Sequence, residues 1–399
     1  MQPVRSDLAV QRLNGVRRTN LAVVSHVVDG LGVASQTAIV DETGLANGAA
    51  ASLLAQLREM GLVIAADSAS TGAVGRPRRS VRIAPEFAFA VGVEVSVEAV
   101  GISICGTDGV ELAQSVEPVD RRPDSPRAMA LDIFARYHEL VRTARLPDVP
   151  ASVAVAVPGL VAGDQLTVPQ FGWSGSSVEG LVRTAPLRVK SFAVLNDGDA
   201  AVIAEAALRP ELDCVVALHG SEGIGGGVSL RGQLFSGAGG AAGQFGHIIV
   251  EVGGRQCYCG NRGCLRQYIS TTAFARELEE EELLVAAGLR RYVVDLATRA
   301  DDGDERVLSM LDAARSRVAQ VVQVLGAVLS PDTVVLTGNL APLSPWLESP
   351  ASRTPDEEYR ARWSRPVEGS NLGQDSVIRG AVLAARHAIL DDPLRFAAD

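Results

Sequence analysis

Residues 243–264 open with Gly243-Gln244-Phe245-Gly246-His247 and close with Cys257-Tyr258-Cys259-Gly260-Asn261-Arg262-Gly263-Cys264. The cysteines fall in a C-x-C-x4-C arrangement, and Gly260 and Gly263 between them allow a loop tight enough to turn three thiolates inward. His247 stands ten residues before the first cysteine and completes a Cys3His donor set. Four such donors suit zinc in a closed structural site with no open coordination position, so His247, Cys257, Cys259 and Cys264 are the expected metal ligands. A loop of this kind is shapeless without its ion. The competing reading is a set of core thiols beside a surface histidine.

Working outward, the chain on both sides of this loop alternates strands and helices. From Phe89 come two apolar strands, 88–95 and 99–105, then a turn at Thr107-Asp108-Gly109 and a third strand over 110–116. An amphipathic helix is expected over 126–144, then a buried strand, SVAVAVPG, at 152–159. The strand FAVLND, 192–197, leads into a helix at 198–208. A further strand, CVVALHG, 214–220, runs through a glycine-rich turn into a hairpin at 226–235. Beyond the cysteines the pattern is helical, with a long segment near 304–329, a strand at Thr333–Thr337 and a last helix over 376–391. Residues 342–374, rich in Pro, Ser and charge, read as loop. A three-strand meander leading to a helix and another buried strand fits an α/β fold of the ribonuclease-H or actin-like kind, with two lobes.

The first 85 residues differ in pattern. Leu21, Val24, Val27, Val28 and Leu31 recur at helical spacing over 17–31. A second short helix, capped by Ser35, runs to Thr43 and is broken by Gly44. A third begins near Asn47, buries Ala50, Leu53, Leu54 and Leu57, and stops at Gly61. Three helices with a short Thr-Gly turn form a helix-turn-helix. Two short strands, Leu62–Ala65 and Val81–Ile83, bracket a Gly/Ser-rich loop with arginines at 76, 78 and 79, which makes a wing. DNA contact is therefore expected from Asn47, Ser52 and Gln56 on the third helix and from Arg76, Arg78 and Arg79. Apart from these and Arg58 that helix is mostly apolar and alanine-rich, so direct base readout is sparse and the wing carries much of the affinity. A three-helix protein-interaction module is the alternative. The boundary falls at residues 1–85 and 86–399.

Composition agrees. The chain has 399 residues, 47% of them hydrophobic, enough for two or three domains. Residues 1–85 hold nine arginines against six acids, a net +3, which leaves −13 of the overall −10 on the remainder. A small basic module on a large acidic body is compatible with DNA contact at one end only. No membrane-spanning apolar run and no signal-peptide pattern appear, so a cytoplasmic protein is expected. Three of the five cysteines are clustered and two lie in apolar runs, a pattern of metal site and core thiols without a disulfide framework.

With these residues in view, the chain resembles the ROK family (repressor, open reading frame, kinase), in its branch with an N-terminal winged helix-turn-helix. The resemblance spans about 17–340 and resumes in the last helix, and its most specific part is the His/Cys loop. It implies a sugar-kinase-like body in which His247 also faces a sugar. Asn196-Asp197 match the family's Asn-Asp pair, so Asp197 stands where a kinase base would accept the proton of the attacking hydroxyl. Other positions depart from the family's pattern. Kinase members carry an Asp-x-Gly-Gly-Thr-like hairpin that approaches the ATP phosphates, where this chain has Glu94-Val95-Ser96-Val97-Glu98. Gly223-Ile224-Gly225-Gly226-Gly227 is kept beside Glu222, and the late strand reads Leu336-Thr337-Gly338-Asn339-Leu340 in place of a glycine pair. The expected sugar-binding glutamates are Gln244 and Arg266 here. These departures predict a DNA-binding regulator, more readily a repressor, without catalytic residues. Asn196, Asp197, Gln244, His247 and Arg266 are the expected ligand contacts. The partners expected are operator DNA and a sugar, sugar-phosphate or sugar-acid effector, with a homodimer or homotetramer as the working assembly and structural zinc as the cofactor. An ATP-dependent sugar kinase with an accessory DNA-binding domain is the runner-up, and a zinc-stabilised scaffold the third reading.

Overall fold

A computed structural model describes residues 4–66, 80–119, 123–178, 188–348 and 365–397, with side chains from residue 15 onward. The N-terminal unit comprises α1 (Val4–Leu31), β1 (Ala34–Ser35), α2 (Gln36–Thr43), α3 (Asn47–Glu59), β2 (Val63–Ala66) and β3 (Ser80–Ile83). Leu21, Val24 and Val28 of α1 meet Ile39 of α2 and Ala50, Leu53, Leu54 and Leu57 of α3 in a buried core, so the helical periodicity is a packing pattern. Ser35 caps α2 by accepting the Ala38 N–H at 3.1 Å. Gly44, at φ 66°, makes the left-handed turn into α3 that a side-chain-bearing residue resists. β3 pairs antiparallel with both β1 and β2, giving the three-stranded base of a wing. The loop between β2 and β3, with Arg76, Arg78 and Arg79, lies outside the described residues.

The body begins with β4 (Phe89–Val95), β5 (Ala99–Cys105) and β6 (Glu111–Pro118), the expected antiparallel meander. α4 (Pro126–Thr143) leads to β7 (Ala151–Val157), which pairs parallel with β4. Three short strands follow, β8 (Leu160–Ala162), β9 (Gln165–Val168) and β10 (Trp173–Ser177), in a small sheet of their own. β11 (Val189–Asn196) completes a five-stranded sheet in the order β11-β7-β4-β5-β6. α5 (Asp197–Ala207) crosses to the second lobe, built on β12 (Cys214–Gly220), β13 (Ile224–Leu230) and β14 (Gln233–Leu234). Helices α6 (Thr271–Leu278), α7 (Glu281–Ala287), α8 (Leu289–Asp301) and α9 (Glu305–Val328) cover one face. β15 (Thr333–Gly338) and β16 (Val367–Gly369) close the order β14-β13-β12-β15-β16, and α10 (Ser376–Asp391) ends the fold.

One expectation needs correction. The stretch read as loop at 342–374 contains β16, which pairs parallel with β15 through Val334↔Val367 and Leu336↔Gly369, and a short helix at Ser344–Leu347. β16 has three residues, too few for an alternation to be read. The small β8–β10 sheet, with strands of three to five residues, was likewise unforeseen.

α10 packs along α5 and across β4 and β7. At Gly380 a methyl group would stand 1.7 Å from the Ala200 carbonyl oxygen, so the two helices touch through backbone. The far end of α10 grips α1. His26 Nε2 lies 2.7 Å from Asp391, Arg18 lies 2.5 Å from Asp392, and Arg386 pairs with Asp29 while donating to the Thr107 carbonyl at 2.8 Å.

Candidate ligand pocket and metal centre

The pocket grows from the ends of parallel strands. β11 lies in register with β7, Asn196 opposite Val157, and stops where α5 begins. Asn196 is the N-cap of α5. Its Oδ1 accepts the N–H of Gly198 at 2.8 Å and of Asp199 at 3.3 Å, and its amide donates to the Gly159 carbonyl. That side chain is thereby committed to structure, and its effect is to fix Asp197 on the first turn of α5. The Asp197 carboxylate accepts from Gly198 N–H at 2.8 Å, with His219 Nε2 3.8 Å from its other oxygen. Burial pushes the Asp197 pKa up to about 6 against the pull of these N–H groups. His219, also buried, is pushed down to about 4, and its Nδ1 lies 3.1 Å from Thr337 Oγ1.

α5 can approach β13 this closely because both carry glycine. A methyl group at Gly198 would sit 2.3 Å from the Gly226 carbonyl oxygen, and one at Gly227 2.5 Å from that of Gly198. The β12–β13 turn, the short 3-10 turn Phe245–His247 and the β9 region then enclose a cavity of about 200 Å³. It is lined by Thr167, Gln170, Asn196, Asp197, Gly223, Gln244, His247, Tyr258 and Arg266, among others. All five expected ligand contacts are thus brought to one cavity. Tyr258, Gln170 and Thr167 were not foreseen. Tyr258 did carry a signal, since it stands between two metal ligands and must follow the loop they shape.

His247, Cys257, Cys259 and Cys264 present donor atoms that all lie within 4.8 Å of one another. His247 Nδ1 is 3.6 Å from Cys257 Sγ, and Cys259 Sγ is 3.6 Å from Cys264 Sγ. A tetrahedron with metal–sulfur bonds of about 2.3 Å has edges of about 3.7 Å, so this donor set fits a zinc-sized ion. The two nitrogens of His247 face different neighbours: Nδ1 looks to the thiols, while Nε2 is 3.3 Å from the Tyr258 hydroxyl. The metal loop and the pocket therefore share a wall.

On the other side of Asp197 the cleft between the lobes is bridged by side chains. Arg290 donates to both oxygens of Glu94 at 3.1 Å and to the Gln374 carbonyl at 3.1 Å, and lies 3.4 Å from Asp375. Burial raises the Glu94 pKa and Arg290 opposes it. Glu98 accepts the Leu289 N–H at the start of α8 at 2.6 Å. Asn339 donates to Thr271 Oγ1 at 3.1 Å and accepts from the Gln374 amide at 3.0 Å. Glu94 and Glu98 of the first lobe are thus tied to Arg290 and to the first N–H of α8 in the second.

On the N-terminal unit, Asn47 and Ser52 are exposed along α3, together with Ala51 and Ala55. Gln56 is half-buried and accepts from Arg17 Nε at 2.9 Å, so it faces α1 more than the open face of the helix. Arg76, Arg78 and Arg79 lie outside the described residues.

A family model described as the ROK family matches residues 92–388. The chain belongs to the ROK family. Among relatives, it is 26% identical over 395 residues to the DNA-binding transcriptional dual regulator NagC of Escherichia coli strain K12, with 94% of each chain covered. It is also 30% identical over 242 residues to an N-acetylmannosamine kinase of Yersinia pestis, a match covering 59% of this ROK chain and 80% of the kinase. Among solved structures, a ROK family transcriptional regulator homologous to the E. coli MLC protein superposes with TM-score 0.75 at 19% identity, over 95% of this chain and 98% of the other. A ROK family glucokinase from Streptomyces griseus, in complex with glucose and AMPPNP, gives 0.58 at 21% identity over 75% and 99%. The two-lobed α/β body is thus the fold of ROK regulators and sugar kinases alike.

Proposed function

We propose that this ROK chain is a DNA-binding transcriptional regulator, a repressor in the first instance, controlled by a sugar or sugar-derived ligand and without kinase activity. The observation that carries the reading is the reach of the likeness. It runs over 94% of the chain for the regulator, N-terminal unit included, and over 59% for the kinase. In this reading residues 1–85 are the DNA-binding domain and 86–399 the sensor. Asn47 and Ser52 meet base edges, the wing arginines Arg76, Arg78 and Arg79 meet phosphates or the minor groove, and Gln56 braces Arg17 of α1. Two or more copies act together, because one small head binds a half-site weakly. Among the described residues no helix is long and apolar enough to cross a membrane. A regulator of this kind works where its operator DNA lies, in the cytoplasm.

The ligand occupies the pocket beside Asp197, whose carboxylate accepts a sugar hydroxyl. His247, Cys257, Cys259 and Cys264 hold a structural zinc that keeps the His247–Tyr258 wall in place. Phosphoryl transfer rests on positioning and on neutralising phosphate charge. Glu94 and Glu98 instead bring two carboxylates to that cleft and engage the Arg290 guanidinium and the first N–H of α8. One observation favours the kinase reading: Asp197 is retained, with a pKa suited to a general base. A coupled ADP-release assay across a panel of hexoses separates the two. Background-level turnover is expected. Turnover that disappears in Asp197→Ala would establish the kinase.

A further inference from the structure

We propose that Arg266 forms an anion subsite within the ligand pocket, so that the effector is a sugar bearing a phosphate or carboxylate group. This rests on the sugar-ligand reading of that pocket.

The arginines of this lobe fall into those paired with an acid and those, such as Arg262 and Arg276, that donate to neutral carbonyl and amide oxygens. Arg255, Arg290 and Arg317 are each paired with a carboxylate, from Glu277, Glu94 and Glu251. Arg266 is half-buried and lines the cavity, yet no acidic group among the described residues forms an ion pair with it. A guanidinium at a pocket wall without a protein counter-charge is free to take up an anionic group of a ligand.

Its position is fixed by two flat contacts. The guanidinium carbon lies 4.4 Å from the centre of the Tyr258 ring. A methyl group built at Gly223 would stand 2.9 Å from Nη2, 3.0 Å from Cζ and 3.2 Å from Nη1. Such nearly equal distances mean that the backbone at Gly223 lies against the face of the guanidinium and not at its edge. A side chain at position 223 would push the guanidinium off this contact. Tyr258 is held in turn, with its ring edge-on to His247 at 5.3 Å and its hydroxyl near Nε2. With its flat surface taken up by packing, the cation's N–H donors, which radiate in its plane, are what remains for a ligand. That planar fork matches the two oxygens of a phosphate or carboxylate.

The same cavity has acceptors. Asp197 and Gln170 line it, and Gln170 Oε1 is buried without a hydrogen-bond partner in the structure. One cavity thus offers acceptors for the hydroxyls of a neutral ring and one fixed cation for a charged substituent. The Asp197 charge opposes an anion in general, which favours a ligand whose anionic group sits at the Arg266 end and whose hydroxyls sit at the other.

Isothermal titration of the full chain tests this. The probes are glucose, mannose, N-acetylglucosamine and N-acetylmannosamine, each compared with its 6-phosphate, plus glucose 1-phosphate, glucuronate and inorganic phosphate at matched ionic strength. We expect at least one phosphorylated or acidic form to bind about tenfold or more tightly than its parent sugar. Arg266→Gln should abolish that advantage, and Arg266→Lys, which keeps the charge without the fork, should retain part of it. The 6-phosphates, the 1-phosphate and glucuronate separate phosphate from carboxylate recognition. If neutral sugars bind and their charged forms gain nothing, or the gain survives Arg266→Gln, the subsite is overturned while the sugar reading stands. Inorganic phosphate binding as tightly as any sugar phosphate would mean an adventitious ion only and would overturn it too. Binding of no probe at all would overturn the subsite together with the sugar reading.

Discussion

Asp197 sits on the first turn of α5 with its carboxyl largely out of water, and burial pushes its pKa from 3.8 up to about 6. A carboxylate whose folded pKa is raised above its unfolded value destabilises the fold where it must ionise. That cost is absent below about pH 4 and fully present above about pH 6. The shift corresponds to about 3 kcal/mol as an upper bound. Asp199, two residues on, is raised to about 7 by burial and by the Asp197 charge, so the pair titrates together. Asp197→Asn is therefore expected to raise Tm at pH 8 by several degrees, with the difference fading toward pH 4. A lower Tm than wild type at pH 8 would show that the carboxylate contributes to stability. At this scale much of the site was legible. Asn196-Asp197 at the end of an apolar strand, and three cysteines with a histidine at metal spacing, are local patterns. Arg290, Gln170 and Tyr258 were not foreseen. The first two act across sequence separations that leave no local trace, as in the pairing of Arg290 with Glu94.

The elements were read unevenly, for physical reasons. α10 was anticipated at its observed limits because sixteen residues give several turns of apolar period. β16 was missed because three residues flanked by Pro and charge have no period, and its identity lies in pairing with β15. Two elements carry predictions. The contact of α10 with α5 at Gly380 leaves no room for a methyl group beside the Ala200 carbonyl. Gly380→Ala should lower the unfolding free energy in urea by about 1–3 kcal/mol or more through forced displacement of the helices. An unchanged midpoint would mean that the two helices do not touch as described. For the His/Cys loop, stripping metal with a chelator, or Cys264→Ser, should raise amide exchange over 245–268 and weaken sugar binding, with the sheets of both lobes still protected. Global loss of protection on chelation would instead make the ion a determinant of the whole fold.

Across the whole molecule, one helix links the parts that a switch has to couple. α10 starts beside Gln374 and Asp375, which hold Arg290 at the inter-lobe cleft, and lies against the helix that begins at Asp197. It ends in Arg386 and Asp391, which hold Asp29 and His26 of α1. A sixteen-residue helix is about 24 Å long. A change in lobe closure on ligand binding would thus reach the N-terminal unit through a single rigid element, provided the ligand prefers one closure state. Arg386→Ala should leave DNA affinity and ligand affinity within a few-fold of wild type. It should also cut the ligand's effect on DNA binding, which in such systems is about 5–150-fold, several-fold toward none. An undiminished ligand effect would place the coupling elsewhere.

The most direct test is fluorescence anisotropy of the full chain with a labelled duplex from upstream of its own gene, against a scrambled duplex, over a salt series. The account predicts preference for the native duplex, lost on removal of residues 1–85 and weakened by Arg76→Ala. Equal, weak and steeply salt-dependent binding to both duplexes would reduce the interaction to phosphate attraction and contradict a sequence-reading regulator.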